Sequence, residues 1–333
     1  MITKAIAAAF LLAISSLASG AKVTQQEKDL VVGKLRQEIG DNYVLTEHVG
    51  AINKTLDEVI RSGSINKVST HQEMTALLTE SLRRFDKHFG VQWRDQRQAG
   101  ARAGGEDWFT KLGRMNSGFE KVEILDGNIG YVDFWGFDNV NDSSRTRVKT
   151  VMAMVADTDA IIFDLRKNGG GSGDMVRLIS SYLLAGKVHL NSFYWKPSNT
   201  TTEFWTLEDI DGKRRTDVPL YILTSAETFS AAEEFAYNLK QLRRATIVGE
   251  TTKGGANPWR FFELGHGYRA AIPIGQAINP ITKANWEHVG VQPHVKATSA
   301  EARNVAYRMA LLALKESTRN PRQLEDIDKK LTE

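Results

Sequence analysis

The sequence predicts an α/β protein, with a small helical domain ahead of a larger domain built on a parallel sheet. Two observations support this. Three amphipathic helical patterns follow one another before residue 90, and beyond residue 117 short apolar runs alternate with further helical patterns. Repetition of strand, helix and strand implies parallel strands joined by crossover helices. The 333 residues are 41% apolar and 25% charged, as in an ordinary globular chain, and they suffice for a sizeable core. The formal charge of +3 is too balanced to make nucleic acid the expected partner.

Residues 1–21 stand apart. Lys4 precedes an apolar run from Ala5 to Leu17, and Ala18, Ser19, Gly20 and Ala21 offer small side chains for cleavage. This is the layout of a secretory signal peptide, and the run is short of the roughly 20 apolar residues of a membrane span. The expectation is a periplasmic or secreted protein with no stable membrane insertion after cleavage. Cysteine is absent, which removes disulfides, a thiolate nucleophile and a Cys-linked lipid anchor.

Residues 22–95 read as the helical domain. Val31, Leu35 and Ile39 are spaced by four; Val49, Ile52, Leu56 and Val59 keep a helical rhythm, as do Met74, Leu78, Leu82 and Phe85. Thr70 and Glu73 have the spacing of a capping box. The glycine-containing stretch 96–116 reads as a linker. In the core domain, 117–316, two β-rich runs flank Asp126-Gly127-Asn128 as a hairpin. Val148, Val151, Met152 and Val155 mark a helix, and Ala160 to Leu165 has the character of a buried parallel strand. Further strands are expected at 220–223 and 245–248, with helices around Met175 to Leu183, Ser230 to Leu242 and Ala300 to Lys315. Residues 317–333 read as a charged tail.

Three features could carry chemistry. Gly169, Gly170 and Gly171 follow the buried strand and precede a helix, where backbone amides can hold an anion. No Gly-Lys-Ser/Thr or G-x-G-x-x-G string is present, so a phosphate loop is not supported. An oxyanion or a plain tight turn would use the same glycines. Ser230 opens a helix directly after a strand and turn. It could be an N-cap, or a nucleophile beside the Ala231 amide. G-x-S-x-G is absent. Of seven histidines, His88 stands out because it ends the third helical pattern, where the helical domain meets the rest. No HExxH string or other metal-ligand spacing is visible, so no cofactor and no metal are expected.

Five strings in order resemble the tail-specific (C-terminal processing) serine protease family, in its branch related to interphotoreceptor retinoid-binding protein and the tricorn core protease. They are Asp86-Lys87-His88, Ile162 to Gly171, Thr228 to Ala236, Arg244 to Thr252, and Gly275 to Pro280 followed by Asn285 to Pro293. The resemblance implies a ClpP/crotonase-like core and peptide-bond hydrolysis. It gives Ser230 as nucleophile, His88 as base, Glu287 as the acidic member, and the amides of Ala231 and of Gly169 to Gly171 as oxyanion donors. Many members use a lysine 25 residues after the serine. That position is Gly255 here, so a Ser-His-Glu arrangement is expected, with Lys253 as the alternative base. About 28 residues separate His88 from Ser117, too few for the family's PDZ module. The substrate expected is a peptide or unfolded protein. A non-catalytic binder of apolar ligands on the same fold is the other reading, and the oligomeric state is left open.

Overall fold

The computed structural model describes residues 22–95 and 106–332. The expected signal peptide and most of the glycine-containing part of the expected linker lie outside the described residues. The helices are α1 (Gln25–Asn42), α2 (Val49–Arg61), α3 (Ser64–Lys67), α4 (His71–Arg83), α5 (Trp108–Arg114), α6 (Asp142–Met154), α7 (Gly173–Leu183), α8 (Ala231–Gln241), α9 (Ala302–Ser317) and α10 (Pro321–Thr332). The strands are β1 (Gly90–Trp93), β2 (Phe119–Leu125), β3 (Ile129–Phe134), β4 (Ala160–Asp164), β5 (His189–Trp195), β6 (Thr200–Trp205), β7 (Leu220–Thr224), β8 (Thr246–Gly249), β9 (Trp259–Gly265), β10 (Tyr268–Pro273), β11 (Gly275–Ile278) and β12 (Val295–Lys296).

A six-stranded sheet in the order β12-β8-β7-β4-β3-β2 forms the centre. All its pairs are parallel except the β2–β3 hairpin. Its inner strands β3, β4, β7 and β8 are buried on both faces, and the side-chain period of two divides them. Ile161, Phe163, Ile222 and Ile247 pack with Val148 of α6, Met175 and Ile179 of α7, and Phe235 and Leu239 of α8. Ile162, Tyr221, Leu223 and Val248 face the other way, onto Ala302, Ala306, Ala310 and Leu314 of α9. A second sheet, β11-β5-β6, extends the first of these cores through Leu190 and Phe193.

Three expectations need correction. The segment 22–95 is not a helical domain closed on itself. Its strand β1 pairs with β10, Val91 opposite Ala270, and Leu264, Tyr268, Ala270 and Ile272 enter the core of α1, α2 and α4. The apolar faces of these helices need a cover, and a hairpin almost two hundred residues away supplies it. The linker 96–116 contains α5, whose Leu112 is buried. The charged tail 317–333 carries α10, with Ile327 buried against the third core. The capping box at Thr70 and Glu73 is formed as expected, but α4 ends at Arg83, five residues before His88.

Candidate active site

Ser230 sits at the corner between β7 and α8. Its φ of 56° and ψ of −120° are rare for a residue with a Cβ. The corner is held from both sides. The Phe229 amide donates to the Asn168 carbonyl at 3.0 Å, and the Ser230 amide donates to Glu233 Oε2 at 2.9 Å. With its backbone fixed, the half-buried hydroxyl faces Nε2 of His88 at 3.0 Å.

His88 is set by the turn between α4 and β1. Asp86 is fully buried there; its Oδ1 accepts from the His88 amide at 2.9 Å, and its Oδ2 accepts from Asn257 Nδ2 at 2.8 Å. The imidazole packs on the Phe229 ring, with centroids 4.6 Å apart. Its Nδ1 is buried without a hydrogen-bond partner and lies 3.6 Å from Asp86 Oδ1. Glu287 completes the group: donor atoms of Asp86, His88 and Glu287 all lie within 4.8 Å of one another. Glu287 Oε2 accepts from the Ala256 amide at 2.6 Å, and its Oε1 is buried and unpartnered. Burial, and then the neighbouring Asp86 carboxylate, pushes the Glu287 carboxyl up to about 8.

Gly170 lies against the serine, since a Cβ there would stand 2.8 Å from Ser230 Cβ and 3.0 Å from the Ala231 nitrogen. The Gly169 amide donates to the Trp135 carbonyl at 3.3 Å, and the Gly170 amide to Asn168 Oδ1 at 2.9 Å. The amides of Gly171 and Ala231 donate to no group among the described residues. The Ala231 amide, next to the serine in the chain, is therefore an unengaged donor, and the Gly171 amide is another, one residue beyond the Gly170 that lies against Ser230.

Ser230, His88, Glu287, Ala231 and the glycine loop thus come together in space. Lys253 does not join them. It is exposed, its Nζ lies 5.3 Å from the centroid of the Phe229 ring, and its carbonyl accepts from Lys87 Nζ. At residue 255 a side chain has no room, because a Cβ would overlap the Phe229 ring and stand 3.0 Å from His88 Cε1.

Two residues absent from the expected set hold the site. Asp86 fixes the turn that carries His88. Glu233, fully buried, accepts from the Thr252 hydroxyl and from the amides of Gly254 (2.6 Å), Gly255 (2.9 Å) and Ser230. Burial raises its pKa, and these donors pull against that rise. The Ser-x-x-Glu spacing from 230 to 233 was the available signal, because it has the form of a capping box. Asp86, His88 and Glu287 are also the only set of three potential metal donors found among the described residues. It joins sequence neighbours to a residue about two hundred positions away, so no metal spacing could show it.

The model of peptidase family S41 matches residues 128–297, just over half of the chain. The chain belongs to peptidase family S41, whose members are serine-type hydrolases. It is 30% identical over 168 residues to the chloroplastic carboxyl-terminal-processing peptidase 2 of Arabidopsis thaliana, a match over 50% of this chain and 31% of that protein. It is 32% identical over 131 residues to the carboxyl-terminal-processing protease of Synechocystis, covering 37% of this chain and 27% of that protein. The chain thus spans about a third of the length of these curated relatives. Two solved structures share its fold: a candidate peptidase from Parabacteroides merdae and the photosystem II D1 C-terminal processing protease. The first has a TM-score of 0.61 at 18% identity and covers 88% of this chain and 99% of its own. The second has a TM-score of 0.52 at 14% identity, over 83% and 94%.

Proposed function

We propose that this protein is an exported serine peptidase that hydrolyses peptide bonds of unfolded or extended polypeptides by a Ser-His-Glu mechanism. The observation that carries the reading is the 3.0 Å contact between His88 Nε2 and Ser230 Oγ, made across 142 residues of sequence. A serine hydroxyl needs a base within hydrogen-bond reach to attack at neutral pH.

In this mechanism Ser230 Oγ attacks the scissile carbonyl carbon as its proton passes to Nε2. The ring then carries two protons, and Glu287 Oε1 accepts from Nδ1–H. For this Glu287 must have released its proton to solvent before the attack, against the burial and the Asp86 repulsion that favour its neutral form, and as the carboxylate it stabilises the imidazolium. The Ala231 and Gly171 amides stabilise the oxyanion, each donor being worth roughly 10²–10³ in rate. Nε2 returns its proton to the leaving amine. Water, deprotonated by the same nitrogen, then cleaves the acyl-serine ester.

Polypeptide as substrate is supported by the family and by relatives named for carboxyl-terminal processing. Export is supported by the apolar run of residues 5–17. Ser230 Oγ is hydrogen-bonded to His88 Nε2, while Lys253 Nζ lies over the Phe229 ring and bonds to neither, which favours His88 over lysine as base. The test is hydrolysis of an unfolded protein and a peptide library by the native chain and by Ser230→Ala. Loss of turnover in a variant with unchanged circular dichroism is expected, and undiminished turnover would overturn the reading.

A further inference from the structure

The gap between His88, Asp86 and Glu287 has the dimensions and chemistry of a small ion site. Its two facing atoms, His88 Nδ1 and Glu287 Oε1, are buried and have no hydrogen-bond partner. Their side chains are 4% and 7% exposed, so both atoms are withdrawn from bulk solvent. Each oxygen of Asp86 uses one lone pair, on the His88 amide and on Asn257, and keeps a second. The separation of 3.6 Å between Nδ1 and Asp86 Oδ1 is close to that of two ligands on one tetrahedral ion, each about 2.0–2.2 Å from it. His288 stands at the mouth: its Nε2 is 3.9 Å from Glu287 Oε1 and its side chain is 41% exposed. That gives an entry path, although His288 Nε2 itself donates to the Phe85 carbonyl at 3.1 Å and so is not one of the ligands. Once Glu287 releases its proton to solvent, two carboxylates balance a divalent charge. The imidazole donor and the small ligand number select zinc-class ions over magnesium or calcium, which take six or more oxygens or keep their waters.

We propose that Asp86, His88 and Glu287, with His288 at the entrance, form an inhibitory site for a zinc-class divalent cation. Coordination uses the Nδ1 lone pair, so the single ring proton resides on Nε2. Nε2 then donates to Ser230 Oγ and cannot take its proton. The ion also occupies Glu287 Oε1, the acceptor that the imidazolium requires. Binding therefore removes the base and its carboxylate together. The inhibition rests on the peptidase reading; the binding does not.

The test is a titration of the Ser230→Ala protein with Co²⁺, followed by visible d–d absorption and displacement by Zn²⁺. One equivalent should saturate the signal. His88→Asn and Glu287→Gln should each weaken binding at least tenfold, with folding checked by circular dichroism. No saturable signal, or a signal unchanged in both variants, would overturn the site. In a second arm, Zn²⁺ should reduce hydrolysis by the native protein more than tenfold, and chelator should restore it. Full activity with the metal bound would overturn the inhibition. No hydrolysis in metal-free native protein would overturn the peptidase reading, while the cobalt signal would still decide the site.

Discussion

Gly255 leaves open the space that the His88 imidazole occupies. A Cβ on residue 255 would stand 3.0 Å from His88 Cε1 and 2.7 Å from Phe229 Cζ. The two positions are therefore exclusive: a side chain on this loop and an imidazole on the turn after α4 cannot both reach the serine. Gly255→Lys should accordingly lower hydrolysis by at least about 10²-fold, by displacing the base rather than replacing it. Measured kcat/KM for the variant decides the matter, and retained activity would mean that lysine can serve from that position.

The strain at Ser230 has a thermodynamic consequence. A φ of 56° with ψ near −120° costs of order 1–3 kcal/mol for a residue with a Cβ and little for glycine. Ser230→Gly and Ser230→Ala should both be inactive. The glycine variant should nevertheless melt higher than the alanine variant, by about 1 kcal/mol in unfolding free energy. Equal stabilities in denaturant titration would show that the corner is not strained.

Glu233 ties the serine corner to the loop 252–255. Glu233→Ala would leave three backbone amides and the Thr252 hydroxyl without their acceptor in a buried place. At roughly 1–3 kcal/mol for each buried unpaired group, a loss of more than about 3 kcal/mol is expected. Urea unfolding would measure it, and a loss below about 1 kcal/mol would contradict the anchoring role.

One turn beyond Ser230, Glu234 is buried and its carboxyl is pushed up to about 8 by desolvation. The folded state therefore holds a proton that the unfolded chain releases near the ordinary glutamate value. Stability from this group is fully present below that value and is lost as pH rises through about 8. The melting temperature should fall between pH 5 and pH 9, and Glu234→Gln should flatten that fall. Parallel pH profiles for the two proteins would contradict the assignment.

Much of this was legible in the sequence because it is local. Thr70 and Glu73 form their capping box within one turn, and the apolar run of β4 is apolar because both faces of the strand are covered. The strands β5, β6 and β9 to β11 gave no such signal. β6 is a run of threonines and glutamate, mostly exposed, and β9 keeps only Leu264 fully buried. The site divides the same way. Ser230, the glycine loop, His88 and Glu287 were nameable through motif strings, although their proximity was not. Asp86 and Glu233 act through backbone amides, and an amide's need for an acceptor leaves little trace in residue identity. The closing of the helical segment by the β9–β10 hairpin is a packing outcome that no periodicity encodes.

The central claim is that His88 activates Ser230. Its most direct measurement is the rate of modification by a fluorophosphonate, with the adduct located by peptide mapping, in the native protein and in His88→Ala. A single adduct on Ser230 is expected, formed at least about 10³-fold more slowly without the imidazole. Modification elsewhere, or equal rates in the two proteins, would contradict it.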